Sequence, residues 1–383
     1  MMNNKPSKKP MRFGYFNDKI ILKNSKTRDS TMNKILPISV ILASTLSSSW
    51  SMAVEAPAPR PFAQTIKMKF CIFDIAGTKG DAYNYAKDLV LEAKKWNLDV
   101  DLKVYTDERV AAEDFKAGQC DGVAISTMRA KQFNFFVGSV DSPGALPTFA
   151  HVRELVNTLA NPKLNSLTIN GPYQVAALIP LGGAYVFVND REINSIEKAA
   201  GKKVAVLDFD KAQAKIVQKL GAQPVASDIT NFAGKFNNGQ VDIIGAPAVA
   251  FRPLELYRGL GEKGAIFRFP LLQVTASIII NRDKYKNIPD FDQRIINMRQ
   301  FAASKMDMVE KLVNKSEDDI PAKYWLDLTP ADKEKYTTLM REARISMTKE
   351  GFYDPKMMAL LKKIRCKIEP TLAECSNNQE TGR

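Results

Sequence analysis

The sequence predicts an α/β fold of two similar lobes joined by hinge strands, with a helical C-terminal tail. Three observations carry that expectation. The frame F-x-x-G-Q-x-D, followed by small and β-branched residues, occurs twice, in FKAGQCDGVAIS from Phe115 and in FNNGQVDIIGAP from Phe236, 121 positions apart. Each copy closes a strand, helix, strand, helix, strand run, the order of an open parallel sheet. From about residue 290 onward the apolar spacing becomes helical.

The first lobe follows a Pro-rich linker, APAPRPF. KMKFCIFDI reads as an apolar strand, GTKGDAYNYAKDLVLEAKKWN as a helix and DVDLKVYTD as an alternating strand. VAAEDFKAG is a short helix closed by Gly118, and CDGVAIS is the third strand. The second lobe repeats the plan with GKKVAVLDF, DKAQAKIVQKLG, AQPVAS, NFAGKFNNG and VDIIGAP. Glycine suits both corners because the residue after a helix commonly turns left-handed, which only glycine does without steric cost.

Two extended apolar runs connect the lobes. LGGAYVFVND (181–190) leads into the second lobe and LLQVTASIIINRD (271–283) leads out. Residues at such element ends can absorb a domain closure. The tail then reads as three helices: FDQRIINMRQFAASKMDMVEKLV, then TPADKEKYTTLMREARISMTKEG capped by Thr329 with Pro330 first, then DPKMMALLKKIRC. Met306, Met308, Met340, Met347, Met357 and Met358 are expected to pack against the lobes.

The N-terminus has a different character. Met32, Lys34 and the apolar run ILPISVILASTL have the layout of a secretory signal, with small residues at Ser51 and Ala53 placing the cut after Ala53. The run is shorter than the roughly 20 residues that span a bilayer. A signal usually begins at its own methionine, so 1–31 reads as an over-extended N-terminus and 32–53 as the signal peptide. Lobe one is then expected over 54–182, lobe two over 183–275, and the return strand with the helical region over 276–383. Nine of the 55 Lys/Arg and two of the 42 Asp/Glu fall in 1–53, so cleavage lowers the net charge from +13 to +6. No tract joins basic clusters to aromatic platforms, so no nucleic-acid partner is expected.

Export makes disulfides the natural use of the four cysteines. Cys366 and Cys375 enclose a short tail loop. Cys71 and Cys120 can bridge if their strands are neighbours, although four cysteines allow three connectivities. No metal is expected, since there is no C-x-x-C and the single histidine is His151. Nor is an enzyme: G-x-S-x-G, Walker, H-E-x-x-H and G-x-G-x-x-G motifs are absent and the usual general base is missing. No cofactor is implied.

Ligand capture suits the architecture better, because open α/β sheets bind small molecules beyond the carboxyl ends of their strands. Those ends are Asp74–Lys79, Ser126–Arg129, Asp208–Lys211 and Gly245–Pro247. The ligand-binding candidates are Asp74, Thr78, Lys79, Ser126, Thr127, Arg129, Asp208 and Gln273, with the hinge aromatics Tyr185 and Phe187 placed to stack on an apolar face.

In their order and spacing, K-A-G-Q-C-D, INSIEKAAGKKVAV with LGAQPV after it, FNNGQVDIIGAP and IIINRDKY resemble the DctP-type solute-binding proteins of TRAP transporters, across roughly 68–300. They are especially similar to the divergent AdeT-like group. The resemblance implies a type II periplasmic binding-protein fold that closes on a small polar or anionic solute and delivers it to an integral-membrane permease. It implies a location outside the cytoplasm, in keeping with the signal, and the protein is expected to be a periplasmic monomer. The alternative, implied by the naming of the AdeT-like group, is a periplasmic accessory protein associated with multidrug efflux or envelope stress. One departure stands out. DctP-type proteins usually carry a carboxylate-binding arginine in the strand that reads KKVAV here, where the position falls on Ala205, and alanine offers no guanidinium fork.

Overall fold

Residues 62–377 and 379–381 are described by a computed structural model; the expectations for 1–31, for the signal peptide over 32–53 and for a cut after Ala53 lie outside the described residues. The first lobe runs β1 (Ile66–Phe73), α1 (Asp81–Ala93), β2 (Leu98–Tyr105), α2 (Glu108–Lys116) and β3 (Gly122–Ser126), then α3 (Thr127–Ala130), α4 (Phe149–Leu159) and β4 (Ile169–Asn170). The long strand β5 (Tyr173–Val188) leads onward to α5 (Ile196–Ala199), β6 (Lys203–Leu207), α6 (Lys211–Lys219), β7 (Gln223–Ser227), α7 (Phe232–Asn237) and β8 (Ile243–Pro247). After α8 (Tyr257–Leu260) and β9 (Ala265–Phe267), β10 (Leu272–Asn281) returns to the first lobe. The remainder is α9 (Phe291–Ser304), α10 (Met306–Asp318), β11 (Trp325–Leu326), α11 (Pro330–Lys349) and α12 (Pro355–Ile368).

The main sheet order is β2-β1-β3-β10-β5-β8-β6-β7. It reads alike from either edge: three parallel strands, then one antiparallel long strand. β10 closes the first triplet and β5 the second, and the two long strands pair antiparallel with each other at the centre. The lobes are therefore two halves of one sheet. Their boundary falls where both long strands pass through.

The repeated corner explains the likeness. Gly118 and Gly239 have φ of 75° and 68°, with open space where a Cβ would stand, so backbone conformation alone selects glycine. Gln119 N–H donates to Asp114 O at 2.9 Å and Gln240 N–H to Lys235 O at 2.8 Å, closing the same helix end twice. The aspartates then fasten each corner to its first strand. Asp121 accepts from Lys69 N–H at 2.7 Å and Asp242 from Lys203 N–H at 2.9 Å. Phe115 and Phe236 are fully buried under the sheet, which fixes where each helix must stop.

At the crossing between lobes the strands are irregular. Register shifts between Val274 and Thr275, where Gly182 takes φ 96° and its Cβ would lie 2.9 Å from a Val313 methyl. Only glycine allows α10 to pack this closely on the hinge. Both faces of the lobe-one sheet are covered: α2, α4 and α12 lie over one and α1 with α9 over the other.

The tail departs from its sequence reading in two places. The first expected helix is broken at Lys305 into α9 and α10, with Ser304 Oγ donating back to Phe301 O at 2.7 Å, a local bond that competes with the helical ladder. Of the six methionines expected to pack inward, five are buried and Met308 is 40% exposed, because it falls on the outer face of α10.

Disulfides join Cys71 to Cys120 and Cys366 to Cys375. The first ties β1 to the entrance of neighbouring β3, and both its residues are buried. Its sequence separation is 49 against 9 for the second, so loop-closure entropy assigns it about 4 kcal/mol and the second about 3 kcal/mol. Cys71→Ala/Cys120→Ala is expected to lower the urea midpoint more than Cys366→Ala/Cys375→Ala. The reverse order would refute this ranking.

Candidate functional site

A cavity of about 690 Å³ opens between the lobes and is lined from both. The strand ends of β1, β3 and β8 reach it through Asp74, Ser126, Gly245 and Pro247. β6 contributes Ala205 and Leu207, whereas the segment Asp208–Lys211 beyond it does not line the space. The hinge supplies Leu181, Ala184, Leu272 and Val274, and α10 closes the side with Val309, Leu312 and Val313. Most of this wall is aliphatic or aromatic. Small residues such as Ala124, Ala205, Ala276 and Gly245 account for the room, since each leaves a gap where a larger side chain would project.

Three of the ten residues singled out from the sequence lie on the wall: Asp74, Lys79 and Ser126. Asp74 is already occupied, accepting from Ala76 N–H at 2.8 Å and Tyr83 N–H at 2.9 Å to hold the start of α1. Ser126 caps α3, its Oγ accepting from Arg129 N–H at 3.3 Å. Lys79 is exposed in the turn before α1.

The other seven lie off the wall. Thr78 is exposed beside Lys79, and Asp208 is exposed beyond β6. Arg129 is buried; its Nε donates to Glu108 Oε1 at 2.9 Å and its guanidinium lies 3.9 Å from the ring centroid of Phe209, a contact from the other lobe. Its charge is thus spent on an internal pair. Thr127 Oγ1 is 2.8 Å from both Ser277 Oγ and Thr275 Oγ1 in a buried hydroxyl cluster. Tyr185 donates to Glu317 Oε1 at 2.7 Å and meets Trp325 edge-on, while Phe187 is fully buried and Gln273 nearly so. Burial and the Glu317 carboxylate raise the Tyr185 phenol far above its ordinary range.

The sequence reading missed the inner wall. Tyr85 and Leu89 on α1, Trp96 just beyond it, and Met298 and Phe301 on α9 all line the cavity. The signal was present as the apolar stripe of α1, which is indistinguishable from a core-facing stripe until the opposite wall is known. Of the lining residues, Val249 and Leu312 remain 39% and 49% exposed.

Among the described residues the cationic lining is Lys79, Arg252 and Lys315. Lys315 pairs with the Asp319 carboxylate at 3.0 Å, and Arg252 donates to Asp319 O at 3.2 Å. Ala205, 7% exposed, stands where the resemblance implies an arginine. His151 is fully buried in α4 away from the cavity, with Nδ1 2.8 Å from Thr148 Oγ1. Burial lowers its pKa below the usual value. Among the described residues there is no cluster of three or more metal-ligating side chains, and no helix is long and apolar enough to cross a membrane.

Residues 91–380 match the family model for solute-binding protein AdeT 1/2. Probable solute-binding protein AdeT1 of Acinetobacter baumannii is 49% identical over 309 residues, covering 81% of this chain and 100% of that protein. The fold is similar to that of a TRAP periplasmic solute-binding protein from Desulfovibrio salexigens with bound orotic acid, at TM-score 0.66 and 16% identity, covering 79% of this chain and 99% of the other. A second, from Desulfovibrio desulfuricans with bound sn-glycerol-3-phosphate, gives TM-score 0.65 at 13% identity, covering 79% and 98%.

Proposed function

The chain belongs to the AdeT 1/2 solute-binding protein family, and from that premise we propose that it captures a small solute bearing a polar or anionic group between its lobes, in the periplasm, and hands it unchanged to a membrane permease. The observation that carries this reading is the cavity lined from both lobes at the crossing of β5 and β10. A solute held there contacts both halves of one sheet, so binding favours whichever lobe arrangement best encloses it. The irregular register and Gly182 at the same crossing supply a hinge. Catalysis has little support in the cavity: Asp74, Glu108 and Asp319 are engaged in capping or pairing, Asp81 is exposed at the start of α1, and His151 does not line the space.

A thermal-shift screen of the exported protein against organic acids, amino acids, sugars, polyamines and aminoglycosides tests the reading. A true solute at 100 times its dissociation constant adds about 2.7 kcal/mol of apparent stability. A stabilising class recovered unaltered after incubation is the expected result. Chemical conversion of the solute would replace the reading with catalysis.

A further inference from the structure

The two faces of the lobe-one sheet are filled differently. On the α2, α4 and α12 side, Cys71, Phe115, Val123, Ile125, Leu155 and Leu361 are at most 1% exposed. On the α1 and α9 side the layer is incomplete. Leu89, Trp96, Leu102, Ala124, Met298 and Phe301 all keep accessible surface, and all line the cavity. Protein interiors are ordinarily packed to crystal-like density. An apolar cavity left unfilled stays dry and accepts apolar guests.

The space also has a direction. Ala82, Tyr85, Ala86, Leu89, Val90 and Ala93 line it from one stripe of α1, so it follows that helix for about 16 Å. Exposed Val249 and Leu312 line it from the second lobe and α10, and Trp96 lines it beyond the C-terminal end of α1. A compact, fully polar solute would leave this channel empty.

One residue lining the channel carries an unpartnered polar atom. The Tyr85 hydroxyl is buried without a hydrogen-bond partner. Buried hydroxyls are normally bonded; this one is enclosed by its neighbours, so it meets an acceptor supplied by a guest once its side chain turns toward the channel. Burial, together with the Asp88 charge, raises this phenol to about 12, so it stays a donor at neutral pH.

We propose that the solute is a linear amphipath whose polar head accepts a hydrogen bond from Tyr85 and whose apolar chain runs along α1, between the lobe-one sheet and α9, toward Trp96. This rests on the solute-binding reading above and names its substrate class. The head stays near the cleft, where Ser126 and Lys79 are within the same wall. The chain completes the unfilled layer of lobe one.

Calorimetric titration of the exported protein with straight-chain carboxylates from butanoate to tetradecanoate, the matching alkanols, and succinate tests this. Affinity in one series is expected to rise roughly fourfold per methylene until the channel is full. Ala124→Leu and Leu89→Trp, which narrow the channel from a strand and from α1, are expected to shorten the chain at which the rise stops, with melting temperature serving as the check on folding. Tyr85→Phe should weaken every chain length about fivefold without changing the slope. If succinate or another short solute binds while both series are flat, the solute-binding reading stands and the channel is not its chain site. If the series rises but none of the three variants alters it, the location is wrong. If no solute of any kind binds, the solute-binding reading fails and this inference with it.

Discussion

Replacing Glu374 and Glu380 by alanine is expected to destabilise the protein by several kcal/mol. The two carboxylates lie between the guanidinium groups of Arg344 on α11 and Arg365 on α12, and all four side chains are 8% exposed or less. Glu374 Oε1 accepts from Arg365 Nε at 2.6 Å and its Oε2 from Arg365 Nη2 at 3.0 Å. Glu380 Oε1 accepts from Arg344 Nη2 at 2.7 Å, and its other oxygen meets Arg365. The arginines also reach the lobe-one loop, donating to Pro143 O at 2.7 Å and Ala145 O at 2.9 Å. Removing the acids strands two buried cations, and breaking a buried pair costs about 3–5 kcal/mol.

The comparison variant separates charge from packing. Exchanging all four residues for apolar ones of similar volume removes the cations along with the acids, and such replacements are often neutral. Urea unfolding should therefore show a large loss for Glu374→Ala/Glu380→Ala and partial recovery in the fourfold variant. A loss below about 1 kcal/mol, the level of an exposed pair, would mean that the cluster is solvated. Acid should act in the same direction as the double variant. Burial opposes the Glu374 charge, but the hydrogen bonds and charge of Arg365, with that of Arg344, outweigh it and hold the carboxyl below the ordinary glutamate range. A depressed carboxyl contributes stability that is present above the unfolded pKa and lost as pH falls through the folded one.

The two-lobed plan was legible because its signals are local. A glycine after a helix, a phenylalanine three residues before it and an aspartate three after it specify a corner within one short frame, and the corner is built alike at Gly118 and Gly239. The pairing of β5 with β10 was less legible. The β5 segment Tyr173–Pro180 lay outside the expected hinge run, yet it pairs with β10 through the heart of lobe one. Nor does the sequence carry a stop signal at Lys305, where neither proline nor glycine marks the break between α9 and α10.

The cavity was legible only at its rim. Strand ends follow from topology, and Asp74 and Ser126 do reach the wall. The inner wall is created by volume that Ala86, Ala124 and Ala276 fail to fill, which depends on distances between elements and not on the spacing of apolar residues along any one of them. Arg129 illustrates the converse. Its position at a strand end suggested an available cation, but Glu108, eighteen residues before Ser126, turns inward from α2 and consumes it.

Asp141 should make the protein less stable as pH rises from about 4 toward 7. The residue is buried beside the lobe crossing, where Thr275 N–H donates to one carboxyl oxygen at 3.0 Å and Thr275 Oγ1 is 2.6 Å from the other. Burial raises its pKa to about 7; the Thr275 hydrogen bonds and the Lys131 charge pull the other way without offsetting it. Lys131 itself is lowered by burial, faces Asp210 as well as Asp141, and lies over the Tyr353 ring. The sign follows from proton uptake. An acid whose folded pKa exceeds its unfolded value binds its proton more tightly when folded, so stability is highest below the unfolded pKa and declines until the folded pKa is passed. The span from 3.8 to about 7 corresponds to at most about 4 kcal/mol. Asparagine mimics the protonated acid, so Asp141→Asn should flatten the melting temperature between pH 5 and 8 and raise it at the alkaline end. A parent protein that gains stability across that interval, or a variant that tracks the parent, would show that Asp141 remains ionised. The consequence reaches function through place: Thr275 adjoins the register shift of β10, so the charge on Asp141 bears on the same few residues through which the lobes must move.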